Sequence, residues 1–218
     1  MGELILLSRV LEDRSRPVRG RAAFFVALDC PLSYLAAERV ERALGEIDWV
    51  PVLTPGSDSN PFTVESERVA GAQARMALAE QQARALDLPL VEPHRYPFQA
   101  RPLARAAAHA AAHGFGAKFT LAALRLAFCG GYDLSDVDVI GEAAAVAGLG
   151  VGEAVTAAGE LRYDLSLEAT SRGLFGRGVS APAIRIGKHW FQGADSVTGA
   201  STFRAMGAEG GRTPVRAD

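Results

Sequence analysis

Phe24-Phe25-Val26-Ala27-Leu28-Asp29-Cys30-Pro31-Leu32-Ser33-Tyr34 decides the fold, because an apolar strand hands over to a helix there with a lone cysteine at the junction. The run from Ala22 to Leu28 is short and continuously apolar, the pattern of a strand buried on both faces. From Leu35 the spacing turns helical, with Leu35, Val40 and Leu44 on one stripe. Pro31 suits a first helical turn, since its φ is fixed near the helical value and its missing N–H is one the turn leaves unpaired. Cys30 therefore falls at the helix cap, where free N–H groups and the helix dipole favour a thiolate. Asp29 opposes that charge if its carboxylate turns toward the sulfur. Thiol chemistry at Cys30 requires its sulfur to be exposed at this corner. Ser33 stands where a dithiol motif has its second cysteine, and a hydroxyl cannot resolve a mixed disulfide. Cys129, in the apolar stretch Leu124–Cys129, reads as a small buried hydrophobe.

With 218 residues, of which 49% are hydrophobic, the chain can bury a core for one domain with an insertion or for two small domains. A net charge of −2, with no basic cluster interleaved with aromatics, argues against nucleic acid as a partner. Lysine occurs only at Lys118 and Lys188. Two cysteines give no disulfide framework, which agrees with a reducing, cytoplasmic setting. Leu4-Ile5-Leu6-Leu7 is too short for a signal core and soon meets Glu12-Asp13-Arg14; no apolar run reaches the length of a membrane span.

Residues 1–20 read as an N-terminal extension. A second strand, Ile47–Leu53, follows the first helix and makes a right-handed βαβ unit. A Pro/Gly/Ser-rich loop runs from Thr54 to Phe62. From Val64 to Phe175 the pattern is helical and alanine-rich, with cap residues at Asp133–Asp136. Strand character returns as a hairpin, Ala183–Ile186 and His189–Gln192 about Gly187-Lys188, before a last helix starting near Ala194 or Asp195. This order, βαβ, helices, ββα, describes an α/β thioredoxin-like fold with an inserted all-helical domain. Residues 21–62 and 176–218 form the thioredoxin-like domain, and 63–175 the insertion. That layout sets Cys30 beside Pro182, whose peptide bond is open to either isomer on sequence grounds.

Cys30-Pro31-Leu32-Ser33-Tyr34-Leu35-Ala36, Pro51-Val52-Leu53, Asn60-Pro61, Leu88-Pro89-Leu90, Tyr96-Pro97-Phe98, Gly178–Pro182 and Trp190–Asp195 follow one another in an order that resembles the DsbA-like branch of the thioredoxin superfamily. Within it the likeness is to 2-hydroxychromene-2-carboxylate isomerases and kappa-class glutathione transferases. The resemblance implies glutathione, or another low-molecular-weight thiol, lying between residue 30 and Pro182. Its cysteinyl backbone would pair with Ala181 before a cis Pro182, its γ-glutamyl end would meet Asp195 and Ser196, and Asn60 would face its other end or the substrate. A homodimer acting on a small molecule is implied as well. Three departures stand out: Cys30 replaces the usual serine, leaving Ser33 as hydroxyl donor; the usual lysine after the loop is missing, with Arg68 or Arg75 as substitutes for its charge; and Gln99 stands where an asparagine is usual after Pro-Phe.

Three readings follow. The first is a glutathione-dependent isomerase or transferase, in which Cys30 or Ser33 stabilises or captures a thiolate that adds reversibly to an unsaturated aromatic-acid substrate. The second is a DsbA-like monothiol oxidoreductase working through Cys30, and the third a binding module with a degenerate site. No metal is expected. His109 and His113 share a helix face without a third ligand and read as surface histidines; His189 reads as a packed or solvent-facing strand residue; Asp133, Asp136 and Asp138 lack the ordered pattern of a calcium loop.

Overall fold

The computed structural model describes residues 21–54 and 65–209. At its centre lies β1 (Ala23–Ala27), buried along its whole length, as a continuous apolar run demands. It runs parallel to β2 (Asp48–Val52), with Phe24 opposite Trp49, and antiparallel to β3 (Ala183–Ile186), with Phe25 opposite Ala183. β4 (His189–Gln192) completes the sheet in the order β2-β1-β3-β4. Pro51 is accommodated because β2 is an edge strand, where a missing N–H leaves no ladder bond unmade. The β3–β4 turn is the expected Gly187-Lys188 pair, and Gly187 takes the positive φ (59°) that a two-residue hairpin loop needs.

α1 (Pro31–Leu44) makes the crossover from β1 to β2, and Pro31 begins it as expected. Its first two turns are buried nearly all round, because the helix is wedged between the sheet and the helices that follow. Those are α2 (Glu65–Leu86), α3 (Arg101–Ala112), α4 (Gly116–Phe128), α5 (Val137–Ala147), α6 (Val151–Gly159) and, after a 3-10 turn at Leu161–Tyr163, α7 (Asp164–Phe175). α5 starts where Asp136 accepts a capping hydrogen bond from the Asp138 N–H at 3.0 Å. α8 (Ser196–Glu209) follows the hairpin and packs on α1. No helix among the described residues is long and apolar enough to cross a membrane.

The alanine-rich composition has a packing consequence. Ala104, Ala107, Ala123, Ala127, Ala143, Ala144 and Ala154 are fully buried where α3 meets α6 and α4 meets α5, so small side chains let these helices approach closely. At the turn between α3 and α4 the backbone approach is close enough to require glycine: a Cβ on Gly116 would stand 2.9 Å from the Ala111 Cα. Arg105 forks onto both Asp164 oxygens at 2.7 Å, and Arg101 reaches Glu168 at 2.9 Å, so charge pairs pin α3 to α7. One continuous apolar cluster extends from the sheet through these helices.

Candidate functional site

The chain turns out of β1 at Leu28–Asp29 and enters α1 at Cys30, whose backbone is extended (φ −111°, ψ 114°), as a cap residue's should be. Continuing the β1–β3 register brings Pro182 and Ala181 alongside the end of β1 from which Cys30 follows. The Ala181–Pro182 peptide bond is cis, one of the two states left open by the sequence. The Pro182 carbonyl accepts from Gly193 N–H at 2.8 Å, and the Gly193 carbonyl from Ser196 N–H at 3.1 Å, which seats the start of α8 beside Pro182. Cys30, Ala181, Pro182, Asp195 and Ser196 are thus gathered at one end of the sheet. Asp195 is exposed, whereas Ser196 is 1% exposed and its hydroxyl has no hydrogen-bond partner among the described residues. Asn60 lies outside the described residues.

Three sequence expectations are corrected here. Cys30 is 1% exposed, not open to solvent, and its thiol is pushed above its ordinary value, not below it. Burial is the main cause and the Asp29 carboxylate adds to it; the Ser33 and Leu32 backbone N–H groups and Arg75 act the other way and lose. The helix-terminus effect is therefore present but is outweighed by desolvation. Ser33 is also no free donor. Its side chain is completely buried, and its Oγ accepts the Ala27 N–H at 3.2 Å, tying the helix to the end of β1. Cys129 is only half-buried, and its Sγ lies 2.9 Å from the Tyr34 hydroxyl, which also donates to the Pro89 carbonyl at 2.9 Å.

What closes over Cys30 comes from distant parts of the chain. Tyr96 follows the loop after α2 and precedes a second cis peptide bond, Tyr96–Pro97, that the sequence reading did not anticipate. Its hydroxyl lies 3.2 Å from the Asp29 carbonyl and 3.5 Å from that of Ala72 on α2. Its ring packs against Phe98 and Phe128. Burial, with Cys30 and Asp29 adding to it, holds the phenol well above its usual range, so Tyr96 stays protonated. Arg75, one turn beyond Gly71 on α2, approaches the same hydroxyl as a donor and opposes that rise. The Asp29 side chain, 5% exposed, accepts a short hydrogen bond from Thr54. Tyr96-Pro97-Phe98 was visible as a motif and Arg75 as a candidate charge; their convergence on Cys30 was not.

Elsewhere the expected residues carry no catalytic set. His109 is 9% exposed, not at the surface: its Nδ1 meets the Tyr163 hydroxyl at 2.9 Å, and burial, helped by His113, pushes it below the ordinary imidazole value. His113 is exposed, and its Nδ1 meets the His109 carbonyl at 2.8 Å. His189 is exposed and stacks on Phe203, as a strand histidine was expected to. No group of three or more metal-ligating side chains exists among the described residues. A cleft of about 420 Å³ between α4 and α5 is floored by Leu121, Ala122 and Leu126; its Arg125 is already paired with Glu38 at 2.6 Å.

No family model matches the chain, and no curated protein matches it in sequence. Solved structures do. A 2-hydroxychromene-2-carboxylate isomerase superposes with a TM-score of 0.69 at 12% identity, over 87% of this chain and 96% of that one. A probable DsbA oxidoreductase from Streptomyces coelicolor gives 0.67 at 21% identity, over 91% and 93%. The cytosolic disulfide reductase DsbM from Pseudomonas aeruginosa, solved with GSH, gives 0.59 at 17% identity, over 86% and 98%. The chain has the DsbA-like thioredoxin fold, an α/β sheet with a helical insert.

Proposed function

We propose that this protein is a thiol-dependent isomerase or transferase acting on an unsaturated aromatic acid, in which Cys30 is a hydrogen-bond donor and not the nucleophile. The observation that carries this reading is the burial of Cys30, 1% exposed, beside the Asp29 carboxylate, which favours the thiol over the thiolate. Disulfide exchange needs a thiolate that can be reached, and a second sulfur or an external thiol to complete it. Cys30 offers neither, whereas a ligand thiolate admitted by opening of the Tyr96 cover can accept a hydrogen bond from the Cys30 S–H as from a serine hydroxyl, with no ionisation or second sulfur required. A bound glutathione or other low-molecular-weight thiol would supply that nucleophilic sulfur.

The residues present fit such a ligand. Ala181, just before Pro182, finds no backbone hydrogen-bond partner among the described residues, so its peptide groups are available to an extended ligand backbone. The buried Ser196 hydroxyl, unpartnered at the start of α8, can donate to a carboxylate beside the helix N-terminus, and exposed Asp195 can pair with an ammonium. Asn60, outside the described residues, is assigned by the resemblance alone to the ligand's other end or to the substrate. In this reading the protein works in the cytoplasm as a homodimer, on a small molecule, with neither nucleic acid nor membrane as partner.

The test sets cis–trans isomerisation of a hydroxychromene or pyruvate-conjugate substrate beside turnover of a glutathionylated peptide, for wild type and Cys30→Ser, with glutathione binding measured by calorimetry. Saturable heat is expected, with isomerisation within about tenfold of wild type in Cys30→Ser, since one donor replaces another. Disulfide exchange alone, abolished by the substitution, would make the protein a monothiol oxidoreductase instead; no saturable heat would leave a degenerate site.

A further inference from the structure

Arg75 is a cation whose neighbours do not account for it. It stands on α2 in the cover over Cys30, half-buried, and its Nε is sealed from solvent without a hydrogen-bond partner. Long helical side chains lean toward the helix N-terminus, and this one does: a Cβ on Gly71, one turn earlier, would meet its Nη1 at 3.4 Å. The guanidinium therefore points toward the start of α2 and the Tyr96 hydroxyl. Among the described residues no carboxylate forms an ion pair with it, unlike Arg101, Arg105, Arg125 and Arg162, each of which holds an acid. The nearest buried acid, Asp29, takes its side-chain hydrogen bond from Thr54. A guanidinium presents five N–H donors in a planar fork matched to a carboxylate. Holding one partly buried, with a sealed Nε and no acid, costs free energy that an arriving anion would offset.

We propose that Arg75 is the anion-recognition residue of this site, taking a carboxylate of the molecule that reaches Cys30. This rests on the functional reading above and adds to it which residue selects the ligand. The carboxylate belongs either to the thiol or to the acidic substrate, and the two are separable by experiment.

The probe is a matched pair of alkylating agents, anionic iodoacetate and neutral iodoacetamide. Both react with the same thiolate, so changes in protonation or in opening of the cover cancel in the ratio of their rates. Peptide mass spectrometry follows Cys30 and Cys129 separately in wild type, Arg75→Met and Arg75→Lys. The iodoacetate-to-iodoacetamide ratio at Cys30 is expected to fall about three- to tenfold in Arg75→Met and to be largely kept in Arg75→Lys. The ratio at Cys129 should not move. Protection of Cys30 by glutathione in wild type, lost in Arg75→Met, assigns the carboxylate to the thiol; the same pattern with cinnamate assigns it to the substrate. An unchanged ratio overturns the proposal whichever compound protects, and leaves the thiol-dependent reading standing. A Cys30 that neither reagent alkylates would mean that no ligand reaches the sulfur, and would remove both.

Discussion

The environment of Cys30 sets two opposed charges about one sulfur, Asp29 raising its proton affinity and Arg75 lowering it, with burial deciding the balance. Asp29→Asn removes the like charge, so the midpoint of Cys30 alkylation against pH should move downward and the rate at neutral pH should rise a few fold; a midpoint that stays or rises would show that the carboxylate does not face the sulfur. Ser33→Ala tests the other half of the motif. It deletes the acceptor of the Ala27 N–H, leaving a buried donor unpaired, at a cost of about 1–3 kcal/mol read by chemical denaturation. A hydroxyl serving only a ligand would give no loss of stability. The place of Cys30 at a helix cap was legible because proline, apolar run and helical stripe are all local. Its burial was not, since Ala72 and Tyr96 close over it from positions with no local signal of contact. Ser33 was misread for a related reason: spacing gives a residue's helical position but not which polar group ends opposite it.

At the scale of elements, the strands, the hairpin and the start of α1 were readable because each is specified by its own residues. How the helices face one another was not. In sequence, alanine marks these segments as helical; its packing role shows only where α3, α4, α5 and α6 meet at it. Gly116→Ala is the sharpest test of that packing, because the added methyl meets backbone, which cannot turn aside. A loss of about 1–3 kcal/mol is expected, against a gain if glycine were there only for want of selection. The α3–α7 ion pairs give a second prediction. Arg105, as hydrogen-bond donor and then as charge, holds the Asp164 carboxyl below the usual carboxylate range. The folded-state value is thus lower than the unfolded one, so this stabilisation is full above about pH 4 and is lost as pH falls through the depressed value. Asp164→Asn should cost about 2 kcal/mol at pH 7 and progressively less in acid, by thermal unfolding across pH; an equal cost at all pH values would mean that the charge contributes nothing.

For the whole molecule, the helical insert is not a separate appendage. Tyr34, on the helix nearest the sheet, bonds Pro89 and touches Cys129; Leu53 N–H, just past β2, donates to Ser171 of α7 at 2.9 Å; and the apolar cluster is continuous across both parts. A shared core of this kind makes unfolding of one part expose the other, so the chain should melt in one transition. The pH response should come from inside the insert. His109, among Tyr163, His113, Glu153, Glu160 and Arg162, is held below its ordinary value mainly by burial. Its folded value is the lower one, so the neutral ring's contribution is full above about pH 6.5 and is lost as pH falls toward the depressed value, well above the window of Asp164. Calorimetry, with near-ultraviolet dichroism for packing and far-ultraviolet dichroism for helix, should therefore show one coincident transition whose midpoint drops between pH 7 and pH 5. In His109→Gln that drop should shrink while the acid limb below pH 4 remains. Two resolved transitions, or a His109→Gln profile parallel to wild type, would mean that the insert unfolds on its own or that the buried imidazole is not the group being titrated.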